Sequence, residues 1–235
     1  MAINVYWACV EEEWAKALPP EKINKKFYSL GINNKDSSAN DAINHCPVFN
    51  ESINNVYAIR SIYDYSFKLE NDTCTSLLYN QKFFDDHVLV RSLEKKFFSF
   101  LVRYIFFTDS DSLEIMSGQH PFLEESEITK RCMLIPGGYD IGKHFRTLEF
   151  PFILRKDFNE FIVNDEDVLY YLTFNTKEKI NFKQFRMTDD LMSMSTDMKK
   201  ASNGMTKKIT SIEYFYNKFK GKKYILEQIE KNLLD

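Results

Sequence analysis

Short apolar runs separated by turn-forming residues dominate the chain between residues 56 and 187. The runs are rich in aromatic and β-branched residues, and they recur at the spacing typical of an antiparallel sandwich or barrel. Residues 3–10 have the same composition, which is that of a buried strand. The pattern therefore predicts an α+β, mainly β fold with an antiparallel sandwich or barrel-like body.

Two parts of this pattern give definite local predictions. Residues 97–107 are apolar at nearly every position, which favours one central strand buried on both faces. Residues 168–176 and 179–185 are two strand-like runs, and the second alternates cleanly between apolar and polar positions. We expect these two runs to form a hairpin with its turn at residues 176–178.

Outside these runs the pattern changes character. Residues 11–17 predict a short helix ended by two prolines, and residues 32–44 read as a polar loop. Beyond Met187 the composition shifts to Met, Ser, Thr, Asp and Lys, which is typical of a linker or a weak helix. Apolar residues then return at helical spacing. We predict a β-rich domain over residues 1–188, a linker over residues 189–208 and a C-terminal helical tail over residues 209–235.

Composition narrows the class of protein. The chain has 235 residues and a net charge of −3, which argues against a surface devoted to nucleic-acid binding. The start of the chain lacks the basic and apolar regions of a secretory signal, and residues 97–107 are too short and too polar to span a bilayer. We therefore expect an intracellular protein, or one built into a particle assembled inside a cell. Four scattered cysteines without a C-x-x-C pair predict free thiols and no zinc.

Three glycines fall within six positions, at Gly137, Gly138 and Gly142. Residues 137–143 satisfy the G-x-x-x-x-G-K pattern of a phosphate-binding loop. However, His144 stands where that loop needs a Ser or Thr hydroxyl, and the following residues look like strand where the loop needs a helix. We therefore interpret residues 136–138 as a tight turn, with Gly142 permitting a bulge or close packing.

The same stretch carries the candidate site. Asp140, Lys143, His144, Arg146 and Glu149 place five titratable groups within ten residues. They could form a general acid/base site or an anion-binding site, with His144 as the group that titrates near neutrality. The alternative is a solvated strand face and turn, in which Asp140 and Arg146 brace each other by a salt bridge or hydrogen bonds.

No metal or cofactor is predicted. The four histidines lack metal-ligand spacing, and no nucleophile motif of the G-x-S-x-G type occurs. Asp85, Asp86 and His87 are the nearest approach to a ligand cluster. On a strand only Asp85 and His87 would share a face, so the cluster is incomplete. We find no complete set of catalytic residues.

The last forty residues are locally basic and contain interleaved aromatic residues. This pattern suits contact with nucleic acid or an acidic partner. It suits better a pair of amphipathic helices that pack aromatic residues onto the body and leave the lysines in solvent. The lysines are Lys199, Lys200, Lys207, Lys208, Lys218, Lys220, Lys222 and Lys223.

Several segments together resemble an uncharacterised family encoded by tailed bacteriophages of marine bacteria, including those of cyanobacteria. The segments include NVYWACV, FFDDHVLVRS, HPFLEESEITKRCMLIPGGYDIGKHFRTLEFPFIL and DVLYYLTFNTKEKINFKQF, and the resemblance spans residues 3–187. Its most specific part is the pattern Pro-Gly-x-x-Asp-Ile-Gly-x-x-Phe-Arg at residues 136–146. His144 holds a position where the family often has an aromatic residue such as Trp, which argues against an essential base there. The resemblance implies a phage product made in a host bacterial cytoplasm that is either built into the virion or acts on the host.

These observations favour a non-enzymatic phage protein, a virion-associated or assembly component that binds protein partners. The first alternative is a small-molecule-binding protein or enzyme with its site at residues 136–149. The second is a host-takeover factor that uses the lysine-rich tail on nucleic acid or a nucleic-acid enzyme. No membrane partner is expected, and the oligomeric state is left open.

Overall fold

The computed structural model describes residues 2–10, 17–23, 46–70, 73–101, 104–119, 126–202 and 221–234. Its strands are β1 (Ala2–Cys9), β2 (Glu21–Lys22), β3 (Val56–Arg60), β4 (Tyr65–Glu70), β5 (Thr73–Ser76), β6 (Val88–Ser92), β7 (Phe97–Phe100), β8 (Tyr104–Thr108), β9 (Glu114–Gly118), β10 (Cys132–Leu134), β11 (Gly137–Asp140), β12 (Phe150–Leu154), β13 (Glu160–Val163), β14 (Val168–Phe174) and β15 (Lys179–Gln184). Its helices are α1 (Pro47–Ser52), α2 (Gln81–His87), α3 (Glu127–Arg131), α4 (Asp189–Ser202) and α5 (Gly221–Lys231).

The strands form four small sheets that pack together as a sandwich-like body. Their strand orders are β15-β1-β8, β10-β12-β7-β6, β11-β9-β14-β3-β2 and β13-β4-β5. The pairings are antiparallel except for that of β1 with β15, which is parallel. The α+β, mainly β fold is confirmed, and within the described residues it is a sandwich without a closed barrel.

Aromatic side chains fill the main core. The ring of Phe161 lies 4.7 Å from that of Phe67 and 4.8 Å from that of Phe98. It also lies 4.9 Å from Phe100, while Phe152 stacks on Phe98 at 5.9 Å. These rings come from two different sheets, so edge and face contacts between them join the layers. The high aromatic content of the sequence is explained by this core.

A second core lies on the opposite face of β1 and β8. Tyr6 and Ala8 alternate along β1 with residues of the main core and point the other way. Leu191 of α4 and Ile229 of α5 pack against them. The residues predicted to be a linker thus form helix α4 as far as Ser202. The apolar face of this helix covers the second face of β1 and contributes buried side chains.

The prediction of one strand over residues 97–107 is wrong. The run forms two strands, β7 and β8, which belong to different sheets. Both strands are buried, and a run buried on both faces has no period that could reveal a break between two strands.

The predicted hairpin of β14 and β15 is also wrong. Both edges of β14 are occupied, by β3 and β9, so β15 pairs with β1 instead. The connection between β14 and β15 is bound by Asn55. Its side-chain amide donates to the carbonyl oxygens of Thr176 at 2.7 Å and Glu178 at 2.8 Å.

Some predictions concern residues that lie outside the described part. The helix expected over residues 11–17 falls almost wholly there, as does the polar loop over residues 32–44. Of the tail expected over residues 209–235, the described portion begins at Gly221 and forms α5. In the described part of the chain, no helix has the length and apolar character needed to cross a membrane.

Candidate functional site

The glycine-rich stretch lies at the edge of the five-stranded sheet. Gly137 and Gly138 enter β11, which pairs with β9 by placing Gly137 opposite Ser117, so the tight turn expected at residues 136–138 is absent. The chain turns later, at residues 141–143, where the backbone N–H of His144 donates to the carbonyl oxygen of Asp140 at 3.0 Å. No helix follows this turn in the described residues 144–149, which agrees with the rejection of a phosphate-binding loop.

Two of the three glycines are required by packing. A Cβ atom at Gly138 would lie 2.6 Å from the carbonyl oxygen of Ile115, and one at Gly142 would lie 2.7 Å from that of Ser110. The predicted close packing at Gly142 is therefore confirmed. Gly137 differs, because no described atom lies within 4 Å of the position that its Cβ would take.

Asp140 is a structural brace for the turn. Its carboxylate accepts hydrogen bonds from the Ser112 hydroxyl at 2.6 Å and from the backbone N–H groups of Leu113 at 2.9 Å and Gly142 at 2.8 Å. The ammonium of Lys143 lies 3.4 Å away. Burial raises the pKa of Asp140, but these hydrogen bonds outweigh it and the pKa falls below its ordinary value.

Arg146 packs on the Tyr139 ring. Its guanidinium carbon is 5.7 Å from the centre of the Tyr139 ring, in the geometry of a cation–π contact. The predicted brace between Asp140 and Arg146 is wrong, because the carboxylate of Asp140 is bound by Ser112, Leu113, Gly142 and Lys143 instead.

His144 meets the edge of the Tyr139 ring, with the ring centres 5.9 Å apart. Burial lowers the pKa of His144, and the positive charge of Arg146 lowers it further. Both effects favour the neutral imidazole and move the pKa of His144 below the value that suits a general base near neutrality.

Glu149 joins three separate elements. Its carboxylate accepts a hydrogen bond from the Arg91 guanidinium of β6 at 2.9 Å and is in contact with the ammonium of Lys199 on α4. Arg91 also donates to the Ser99 hydroxyl of β7 at 2.8 Å. These contacts tie helix α4 to the body beside the glycine-rich stretch.

The structure separates the five candidate residues. Asp140 binds the β8–β9 connection, Lys143 binds Asp140, and His144 contacts Tyr139. Arg146 and Glu149 line a cleft of about 250 Å³ between the edge of the five-stranded sheet and residues 146–151. We call this the edge cleft. The residues that line it are Ile115, Ser117, Ile135, Pro136, Gly137, Gly138, Tyr139, Arg146, Leu148, Glu149, Phe150, Pro151 and Leu172.

The edge cleft is apolar apart from a few groups. Sequence reasoning found Arg146 and Glu149 but missed Ser117, Tyr139 and Leu172, which strand pairing brings in. Their convergence depends on the pairing of β9 with β11 and β14, which no local pattern of the sequence shows. Chemically, this arrangement can hold an apolar group beside one guanidinium.

The remaining candidates have structural roles. Asp85 and His87 lie on helix α2 and not on a strand, and His87 Nδ1 is 2.7 Å from the carbonyl oxygen of Phe83. Among the described residues, no group of three His, Cys, Asp or Glu side chains could hold a metal ion.

Part of the lysine-rich tail also contacts the body. Lys199 binds Glu149, and the Lys222 ammonium donates to the carbonyl oxygen of Ser110 at 2.5 Å. Burial lowers the pKa of Lys222. The lysines between residues 203 and 220 lie outside the described part.

Comparison of the chain with protein-family models, with curated proteins and with solved structures finds no match. Its function is therefore proposed from the contacts of its own residues and from the sequence resemblance.

Proposed function

We propose that this chain is a non-enzymatic protein that binds a protein partner through an exposed apolar loop at residues 77–79. Following the resemblance to the phage family, we place it in a virion or in virion assembly, made in the cytoplasm of a host bacterium. The apolar loop is the observation that carries the proposal.

The apolar loop connects β5 to α2. Its side chains are Leu77, Leu78 and Tyr79, which are 50%, 56% and 38% exposed. Isolated exposed apolar residues are ordinary, but a consecutive run of three is uncommon unless a partner covers it.

The backbone of the loop is held in place from both sides. The N–H of Leu77 donates to the carbonyl oxygen of Ser66 at 2.8 Å, and the N–H of Tyr79 donates to the Ser76 hydroxyl at 3.1 Å. The Tyr79 ring also lies 4.3 Å from the ring of Phe83 on α2. A preorganised loop loses little conformational entropy on binding, which favours a docking role.

The energy available from this loop is sufficient for a specific contact. Complete burial of one leucine side chain stabilises a complex by about 1.5–3 kcal/mol. Tyrosine adds an amphipathic ring of the kind enriched at protein interfaces. Two leucines and a tyrosine can therefore supply a hot spot in an interface of ordinary size.

The candidate acid/base residues support a non-enzymatic role. The carboxylate of Asp140 accepts three hydrogen bonds that hold the turn, and that of Glu149 is bound by Arg91 and Lys199. These carboxylates serve the fold in the way expected of structural groups.

Mass spectrometry of purified phage particles tests the setting. We expect the chain among the virion proteins or in assembly intermediates. Absence from both would contradict the virion and assembly role.

A double variant, Leu77→Ser with Leu78→Ser, tests the loop. We expect it to keep the wild-type melting temperature but to disappear from the complexes that the chain forms in infected cells. Val48→Ser is the matched control, because Val48 is also apolar and is 78% exposed at a distant site. Equal recovery of the partner with the double variant would contradict the proposal.

A further inference from the structure

Gly137 has no structural reason to be glycine. Its backbone lies in strand β11, its Cβ would meet no described atom within 4 Å, and no left-handed φ is recorded for it. A glycine in a strand costs about 0.5–1 kcal/mol relative to a residue with a side chain. The neighbouring Gly138 is different, since a Cβ there would collide with the backbone of Ile115.

The open space beside Gly137 belongs to the edge cleft. Gly137 and Tyr139 occupy alternate positions of β11, so both face the same side of the sheet. Both line the cleft together with Leu172 of β14. A side chain at Gly137 would therefore grow into the cleft, and its absence keeps the cleft open.

The walls of the edge cleft suit an apolar group. Ile115 and Leu172 come from the inner face of the five-stranded sheet, and Leu148 and Phe150 come from the opposite wall. The Phe150 ring is held by Tyr170 of β14, whose ring stacks on it at 3.7 Å. Rigid apolar walls with a few polar groups are the usual composition of a small-molecule site.

The charged residues of the cleft favour an anion. Glu149 is the one acid among the lining residues, and its carboxylate is already bound by Arg91 and Lys199. Arg146 is the cation of the lining, and its guanidinium is positioned over the Tyr139 ring. A planar guanidinium matches the two oxygens of a carboxylate better than a point charge does.

We propose that the edge cleft binds a small organic carboxylate, with its apolar body between the two walls and its carboxylate at Arg146. A volume of about 250 Å³ fits a body the size of one aromatic ring. This site goes beyond the proposed partner binding and does not depend on it.

Calorimetric titration of the full chain with three matched probes tests the ligand class. The probes are benzoate, its neutral isostere benzamide, and the cation benzylamine. We expect saturable one-to-one binding of benzoate, at least about tenfold tighter than benzamide, because a hydrogen bond to a charged group contributes about that much. Benzylamine should bind more weakly than either. Absence of saturable benzoate binding, or equal affinity for benzoate and benzamide, would overturn the proposal.

Two variants locate the site. Arg146→Gln should weaken benzoate by at least about tenfold and change benzamide far less, since the lost guanidinium charge acts on the carboxylate and not on the neutral amide. Lys143→Gln is the control, because Lys143 is exposed and lies three residues away outside the cleft. A loss of benzamide binding equal to that of benzoate in Arg146→Gln would overturn the assignment of the carboxylate to Arg146.

Gly137→Val puts a side chain into the cleft from a position where the Cβ atom meets no described atom within 4 Å. We expect it to abolish binding of both benzoate and benzamide while the melting temperature stays the same or rises. Unchanged benzoate affinity in this variant would place the ligand elsewhere and overturn the proposal.

Discussion

The aromatic interior around Phe161 and the edge cleft both lie against β-strands of the body, but side chains fill the first and leave the second open. In the interior, three rings surround Phe161 at centre distances of 4.7 to 4.9 Å. In the edge cleft, Gly137 faces open space where a strand residue usually has a side chain. The strand pair that carries Phe161 and the pair that carries Gly137 both keep a regular register, so it is the choice of side chains that closes one region and opens the other.

Removal of a ring from the interior should have the largest effect. Phe161→Ala is expected to lower the free energy of unfolding by about 3–5 kcal/mol, because it leaves a cavity among rings that cannot collapse. Chemical denaturation with linear extrapolation measures this. Met133→Ala, at a position 45% exposed, should change stability by less than about 0.5 kcal/mol. A loss below about 1 kcal/mol at Phe161 would show that the interior is no better packed than the cleft.

The second core extends the comparison to the helices. Ile229→Ala is expected to cost about 2–5 kcal/mol, because Ile229 is fully buried against the reverse face of β1 and β8. Circular dichroism and tyrosine fluorescence should report one common transition. Tyr224→Ala is the control on the same helix, at a position 41% exposed. If the helix signal were lost at a lower denaturant concentration than the tyrosine signal, α5 would unfold independently of the body.

The turn beside the cleft should show a smaller loss that depends on pH. Asp140→Asn is expected to cost about 1–3 kcal/mol at pH 7, because the amide cannot accept all the hydrogen bonds of the carboxylate. The native pKa of Asp140 is lowered from 3.8, so its contribution is present above about pH 4 and is lost as the pH falls through the native pKa.

Denaturation at pH 7, pH 5 and low pH measures this difference between wild type and Asp140→Asn. The difference should shrink in acid. Asp157→Asn, at an exposed carboxylate, should show no such trend. A difference that stays constant through the acid range would contradict the brace assigned to Asp140.

The smallest effect is expected in the cleft itself. Gly137→Val should leave stability unchanged or raise it by up to about 1 kcal/mol, because a strand gains a side chain and no contact is violated. Its neighbour supplies the contrast, since Gly138→Val should cost about 1–3 kcal/mol through overlap with the Ile115 backbone. Thermal melting of the pair measures both. A loss at Gly137 as large as at Gly138 would mean that the cleft is closed to a side chain.

Local patterns predicted the individual strands well and their partners poorly. The composition of residues 3–10 predicted β1, because β-branched and aromatic residues suit a buried strand. Nothing local could predict that β15 would pair with β1, since that choice depends on β14 having both edges occupied by β3 and β9. The break between β7 and β8 was hidden because both strands are buried.

The stretch that the sequence singled out supplies only part of the lining of the edge cleft. Arg146 and Glu149 line the edge cleft, whereas Asp140 and Lys143 hold the turn beside it. Charge density along the chain could not separate these roles, because successive residues of a turn point in different directions. Tyr139 lies within the same stretch and lines the cleft. A search for titratable groups did not select it, and such a search cannot find the apolar residues of the cleft walls.

The parallel pairing of β1 with β15 has a consequence for how the chain acquires its structure. Ala2 lies opposite Lys179, and β8 closes the same sheet on the other side of β1. A contact between residues so far apart gives the sheet a high contact order, which slows folding. During synthesis one edge of β1 would stay unpaired until residues 179–184 had left the ribosome, and an unpaired strand edge is open to pairing with another chain.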